Sequence, residues 1–198
     1  MLKSGTGVKS FFKKNLLKLT LLLFVIILVV ALILAIIFGG AEFYRPVKTY
    51  YDSIEQNDSE LMHSVAADYW IKYADHEFGA GSSYGLLADL IDDFHEDYKS
   101  YGSELIIYPD IYRADKANED ELNVLLNDLY ENYGRYVYKE PAEMNITGAC
   151  VVSVSFTFDK SSDEDKHSSQ FLFVKENGKW KIAVGRIDNP FFSNVQGH

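Results

Sequence analysis

Apolar residues first run without interruption and then recur in two different rhythms. Leu19 to Phe38 is a stretch of twenty residues in which only Thr20 is polar and none is charged. As a helix rising about 1.5 Å per residue it is roughly 30 Å long, the hydrocarbon thickness of a bilayer. Gly39-Gly40-Ala41 would suit the cleavage site of a leader, but a leader's apolar core is about 7 to 15 residues, so the run predicts a retained transmembrane helix over residues 19–40. A bacterial lipid anchor would need a cysteine just after the run, and the single cysteine is Cys150.

Beyond the run the rhythm is helical. Phe43, Val47, Tyr50, Tyr51 and Ile54 share one face of a helix that Pro46 suits as a first-turn residue. Asn57-Asp58-Ser59 stops it and caps a second helix, whose apolar side carries Leu61, Val65, Tyr69 and Tyr73. Gly79, Gly81, Ser82, Ser83 and Gly85 read as a loop, with a spacing that fits neither nucleotide-binding glycine motif. Leu86, Leu87, Leu90, Ile91, Phe94 and Tyr98 then mark a third helix, ended by Tyr101-Gly102. Glu104 to Tyr112 is β-rich and broken by Pro109, which predicts an edge strand or a strand with a bend. Asn118, followed by Glu119, Asp120 and Glu121, caps a fourth helix carrying Leu122, Leu125, Leu126, Leu129 and Tyr133, and Gly134 closes it.

The period then drops to two. Cys150, Val152, Val154, Phe156 and Phe158 alternate with Val151, Ser153, Ser155 and Thr157, a strand with one buried and one wet face. Cys150 falls on the apolar side, as an inert core thiol would. Asn177-Gly178 tolerates positive φ at both turn positions, so Ser169 to Glu176 and Lys179 to Ile187 form a hairpin. Its two-residue turn sets Glu176 opposite Lys179, Lys175 opposite Trp180, Val174 opposite Lys181, Phe173 opposite Ile182 and Leu172 opposite Ala183. Phe171, Phe173, Trp180, Ile182 and Val184 then face the helices. Val151, Ser153, Ser155, Thr157, Leu172, Val174 and Ala183 form the outer face of the sheet, a small, flat, partly apolar surface suited to self-association or partner docking. The fold class is α+β: a transmembrane helix, then helices packed on a curved antiparallel sheet.

Charge adds direction. Five lysines and no acid precede the apolar run, so residues 1–18 are a basic cytoplasmic segment and residues 41–198 an extracytoplasmic domain at the cell membrane. That domain holds all 29 acidic residues against 14 basic ones, a formal charge of −15. Nucleic acid and anionic surfaces are unsuitable partners. A lone cysteine leaves it without an intrachain disulfide, which fits a bacterial envelope; Asn57-Asp58-Ser59 and Asn145-Ile146-Thr147 would accept glycans only in a eukaryote. His76-Glu77 and His95-Glu96 lack the second histidine of a zinc protease helix, and Asp159, Asp163 and Asp165 lack the glycine and terminal glutamate of a calcium loop. No metal, cofactor or nucleophile elbow is implied.

Helices first, a strand interrupted by another helix, and a meander closing on Lys175-Glu176-Asn177-Gly178-Lys179-Trp180-Lys181-Ile182 resemble the nuclear transport factor 2-like superfamily. Pro46-Val47-Lys48-Thr49-Tyr50-Tyr51-Asp52-Ser53-Ile54, with Asn57-Asp58, is similar to the first helix and turn of its small bacterial envelope members. The helix from Asn118 to Tyr133 departs from the minimal pattern. The resemblance implies a cone between helices and sheet, covers roughly residues 44–187 and spans enzymes as well as binding domains. In its enzymes an acid, histidine or tyrosine stands inside the cone, and the residues here that would stand there are Tyr69, Trp70, Tyr73, His76, His95 and Tyr98. An isomerase or dehydratase would use them for acid–base chemistry, whereas a non-catalytic member would present them as a ligand pocket or core. The expected function is a single-pass envelope protein that binds a protein partner, a second copy or a small ligand without catalysis, as an assembly subunit in one version. A topology reporter fused after His198 is expected to be active only outside the cytoplasm; cytoplasmic activity, or a mature N-terminus near Ala41, would overturn the reading.

Overall fold

The helical rhythm that begins at Phe43 materialises as α1 (Ala41–Glu55), with Phe43, Val47, Tyr51 and Ile54 buried along one stripe. The protein is seen in a computed structural model that describes residues 24–27, 41–102, 104–159 and 166–184, and it divides into two units, Met1–Ala41 and Glu42–His198. In the first unit residues 24–27 are helical, and their side chains are 49–64% exposed. No helix among the described residues is long and apolar enough to cross a membrane; the predicted span from Leu19 to Phe38 lies outside them apart from residues 24–27.

In the second unit α1 begins earlier than Pro46 suggested, and the proline sits inside the helix. Asn57, at φ 51°, turns the chain, and Asp58 caps α2 (Ser59–Val65) by accepting the Leu61 N–H at 2.9 Å. The single helix expected from Leu61 to Tyr73 is two, α2 and α3 (Asp68–Phe78), with Ala66 and Ala67 extended between them. The break has a tertiary cause. Ala66 bridges to Ile182, and the Ala67 N–H donates to the Ile182 carbonyl at 2.8 Å. The first N–H groups of α3, those of Asp68 and Tyr69, donate to Glu176 at 2.6 and 3.1 Å. A glutamate 108 residues away in sequence thus does the work of a local cap.

The glycine-rich loop is shorter than its composition suggested, because α4 (Ser82–Asp97) already includes Ser82, Ser83 and Gly85. Asp75 on α3 accepts the Ser83 N–H at 3.0 Å and so caps the helix from a neighbour. A short 3-10 turn, Lys99–Tyr101, leads to β1 (Ile107–Lys116), which carries Pro109 and a bulge between Ile111 and Arg113. α5 (Glu119–Asn132) starts with the predicted reciprocal cap: Glu121 N–H to Asn118 Oδ1 at 3.0 Å and Asn118 N–H to the Glu121 carboxylate at 2.8 Å. Gly134 is buried where an added Cβ would lie 2.9 Å from the Met144 sulfur and 3.0 Å from the Tyr130 ring.

β2 (Ile146–Phe158), β3 (His167–Glu176) and β4 (Lys179–Ile182) complete a four-stranded antiparallel sheet ordered β1-β2-β3-β4. Pro109 therefore does stand on an edge strand. Asn177 and Gly178 have φ 50° and 78°, and the hairpin register from Glu176 opposite Lys179 to Phe173 opposite Ile182 is the one the turn predicts. Helices and sheet meet through aromatic rings: Phe43 lies 5.2 Å from Phe173, Tyr50 4.9 Å from Phe171 and Tyr51 5.2 Å from Phe156. Trp180 is half-buried against Phe43 at 4.9 Å, and its indole N–H donates to Glu42 at 2.8 Å. Cys150 is fully buried, and burial pushes its thiol up to about 12.

Glu176 is only 2% exposed, and burial raises its pKa from the ordinary 4.5 to about 6, even though two backbone N–H groups pull the other way. Folding then favours the protonated form. The associated stability is present in full below pH 4.5 and is lost as pH rises through 6, about 2 kcal/mol in all. In detergent-solubilised protein, thermal unfolding between pH 4 and 7 is expected to show a component of this size and sign that is missing in Glu176→Gln. Identical pH profiles for the two proteins would show that Glu176 is not buried as described.

Candidate functional site

The last turn of α4, the turn after it and the neighbouring strand ends bring aromatic side chains to one end of the sheet. Tyr98 caps the end of α4, and the Lys99–Tyr101 turn, closed by the Gly102 N–H on the Lys99 carbonyl, presents Tyr101. Phe156 and Phe158 share a face because they are two apart in β2. His167, first in β3, is paired with Phe156. Tyr101 stacks on Phe158 at 4.5 Å and 28°, His167 stacks on Phe156 at 5.3 Å, and Tyr98 lies 5.0–5.7 Å from Phe156, Phe158 and His167. His167 Nε2 is hydrogen-bonded to the Tyr101 hydroxyl at 3.0 Å.

Outside this cluster is a cleft of about 220 Å³, lined by Tyr101, Glu104, Leu105, Ile106, Phe158 and Asp159. Leu105 and Phe158 are buried and form its apolar floor, while Glu104, Ile106 and Asp159 are exposed at its rim. The backbone around it is tied down. Asp159 N–H donates to the Ile106 carbonyl at 3.1 Å, and Ile107 N–H donates to the Glu55 carboxylate at 2.5 Å. Asp159 Oδ1 accepts from the Tyr108 hydroxyl at 3.2 Å, a bond that raises the Tyr108 pKa. The recess thus has aromatic and carboxylate walls on a hydrogen-bonded backbone.

The six residues expected to line a cone pocket do not converge. Tyr69 and Tyr73 belong to a second aromatic group, 5.8 and 5.1 Å from Tyr133, with Tyr136 5.4 Å from Tyr73. Tyr69 is fully buried, which raises its pKa well above the ordinary value, and Trp70 is buried as well. His76 is exposed on α3. His95 is half-buried with Nε2 hydrogen-bonded to the Ile54 carbonyl at 2.9 Å, tying α4 to α1. Tyr98 is the one member that adjoins the cleft. Tyr101, Phe158 and His167 are the residues the sequence pattern left out; Tyr101 and Phe158 are aromatics at the ends of a predicted helix and strand, and His167 falls two residues before the strand predicted from Ser169.

The outer sheet face needs a correction. The register groups Val151, Ser153, Ser155, Leu172 and Val174 as expected, but all five are buried, at 0–4% exposure. Thr157 and Ala183 are half-buried. Glu176 lies on this same face, two residues beyond Val174, and reaches the start of α3 there, so the face is not an open docking surface. Asp163 and Asp165 lie outside the described residues. Comparison with protein-family models, with curated proteins and with solved structures finds no match.

Changing Leu172 and Val174 together to Glu tests the burial of this face. Two carboxylates without donors would be placed in the core, and cooperative thermal unfolding is expected to disappear. A soluble double variant with unchanged melting temperature would return these residues to the surface.

Proposed function

We propose that the chain is a single-pass membrane protein whose α+β domain, outside the cytoplasm, binds a small ligand group or partner side chain in the cleft at the end of its sheet, without catalysis. The observation that carries the binding role is the cleft itself: an apolar floor, acidic rim and hydrogen-bonded backbone assembled from the end of α4, the entry to β1 and the end of β2.

The anchoring rests on the apolar run and its basic flank, with support from residues 24–27. Successive helical residues point about 100° apart, so four of them face every direction around the axis. Phe24, Val25, Ile26 and Ile27 are all exposed and apolar, as a helix surrounded by lipid requires. The similarity to the nuclear transport factor 2-like superfamily is supported by helices packed on an antiparallel meander. Against an isomerase or dehydratase, the space between α1 and the sheet is filled: Tyr51 lies 5.2–6.4 Å from the rings of Phe94, Phe156 and Phe171.

The test is a ligand-observed NMR screen of the full chain in detergent, using small amines, carboxylates, amides and monosaccharides, against wild type and Tyr101→Ala. At least one class is expected to bind wild type and to lose its signal in the variant, whose fold is verified by its melting curve. Binding that is indifferent to Tyr101, or no binding at all, would reject the cleft as the site.

A further inference from the structure

We infer that the ligand of this cleft is an organic cation, an ammonium head group carried on a short apolar or methylated stem. The inference rests on the binding reading above and adds the chemical class. Among the six lining residues that the structure describes, two are acidic and none is basic. Glu104 and Asp159 come from separate segments, the approach to β1 and the exit of β2, so the acidity belongs to the assembled cleft and not to one local run.

Beneath them the lining turns aromatic. Phe158 stacks on Tyr101 and backs it, and the half-buried Tyr101 ring is the aromatic surface that would attract a cation while offering an anion nothing. The Tyr101 ring is held in place by the His167 hydrogen bond at its hydroxyl. Asp159 is fixed through its backbone N–H and through Tyr108, which occupies Oδ1 and leaves Oδ2 for a ligand. Preformed partners of this kind lower the ordering cost that binding would otherwise carry.

Size and charge narrow the class. At about 220 Å³ the recess is smaller than the roughly 300–1,000 Å³ typical of drug-sized ligands, so it suits a head group and not a nucleotide or a folded peptide. A calcium or magnesium ion would want six or more oxygens, and no group of three or more metal-ligating side chains occurs among the described residues. A neutral apolar group would cover two carboxylates and return nothing to them. The surplus of acids over bases, 29 against 14 from residue 41 onward, also raises the local concentration of cations.

The experiment compares choline with 3,3-dimethyl-1-butanol, its uncharged carbon isostere, on the full chain in detergent at low and fixed ionic strength, by saturation-transfer NMR and calorimetry. Choline is expected to saturate with a Kd on the order of 1 mM and the isostere to bind at least tenfold more weakly. Glu104→Gln combined with Asp159→Asn changes only exposed side chains; it is expected to weaken choline tenfold or more and leave the isostere unchanged. Tyr101→Ala is expected to abolish both. If choline and the isostere bind alike, or sugars or carboxylates bind through Tyr101 while choline does not, the cleft remains a binding site and the cation inference is overturned. If no probe of any class shows Tyr101-dependent binding, the binding reading falls and takes this inference with it.

Discussion

A carboxylate removed from water has to find donors, and Glu176 finds them at the start of α3, where two backbone N–H groups would otherwise be buried without acceptors. The arrangement joins the end of β3 to the helical layer across more than 100 residues of chain. Ile182, two residues from Trp180 on the adjacent strand, accepts the Ala67 N–H and completes the joint. Burial nevertheless outweighs these hydrogen bonds and the favourable end of the helix dipole, since the carboxyl titrates near 6 and not below its ordinary value. The interaction is better understood as fixing where α3 begins than as a source of stability at neutral pH.

That joint also explains what local patterns conceal. From Leu61 to Tyr73 nothing in the sequence breaks a helix, because alanine is the best helix former and two of them stand at the break. Only a strand that does not yet exist locally makes Ala66 extended. Asp75 capping α4 is a similar case: composition reads Ser82-Ser83 and Gly85 as loop, and a side chain from another helix turns them into a first turn. By contrast, the Asn118–Glu121 cap and the Asn177-Gly178 turn involve neighbours in sequence, and both stand as read; the alternation from Cys150 to Phe158 finds the strand, but the face it marks as wet is buried.

The outer face of the sheet shows where alternation stops being informative. Serine at 153 and 155 makes a face look wet, but a small hydroxyl can also be buried, and both serines are. Register says which residues share a face; it does not say what lies over that face. The candidate site was hidden for a related reason. Phe158 and His167 come together through the β2–β3 pairing and meet Tyr101 through the packing of the turn after α4, and the connection after Asp159 is long enough that no turn chemistry sets this register from sequence. Histidines 76 and 95 drew attention because they sit beside acids on helices. His167, next to nothing acidic in its strand, is the one that meets a tyrosine hydroxyl.

The two ends of β2 are put to different uses. At one, Cys150 pairs with Lys116, which reaches Glu42 at 2.5 Å, and the same carboxylate accepts the Trp180 indole N–H; here the chain enters the unit. Burial pulls the Glu42 pKa up, but the hydrogen bonds from Lys116 and Trp180 hold it below the ordinary value, so this end stays ionised and clamped. At the other end is Phe158, eight residues on and about 26 Å along an extended strand. Its neighbours are aromatic, and the nearby carboxylates of Glu104 and Asp159 are left exposed. The Glu42 carboxylate at the entry has its cation already in Lys116, and a neutral indole donor on its other oxygen. Among the described residues the carboxylates at the cleft meet only a hydroxyl from Tyr108 on one oxygen, so the cation proposed for this end of the sheet would find charge there that the entry has already committed.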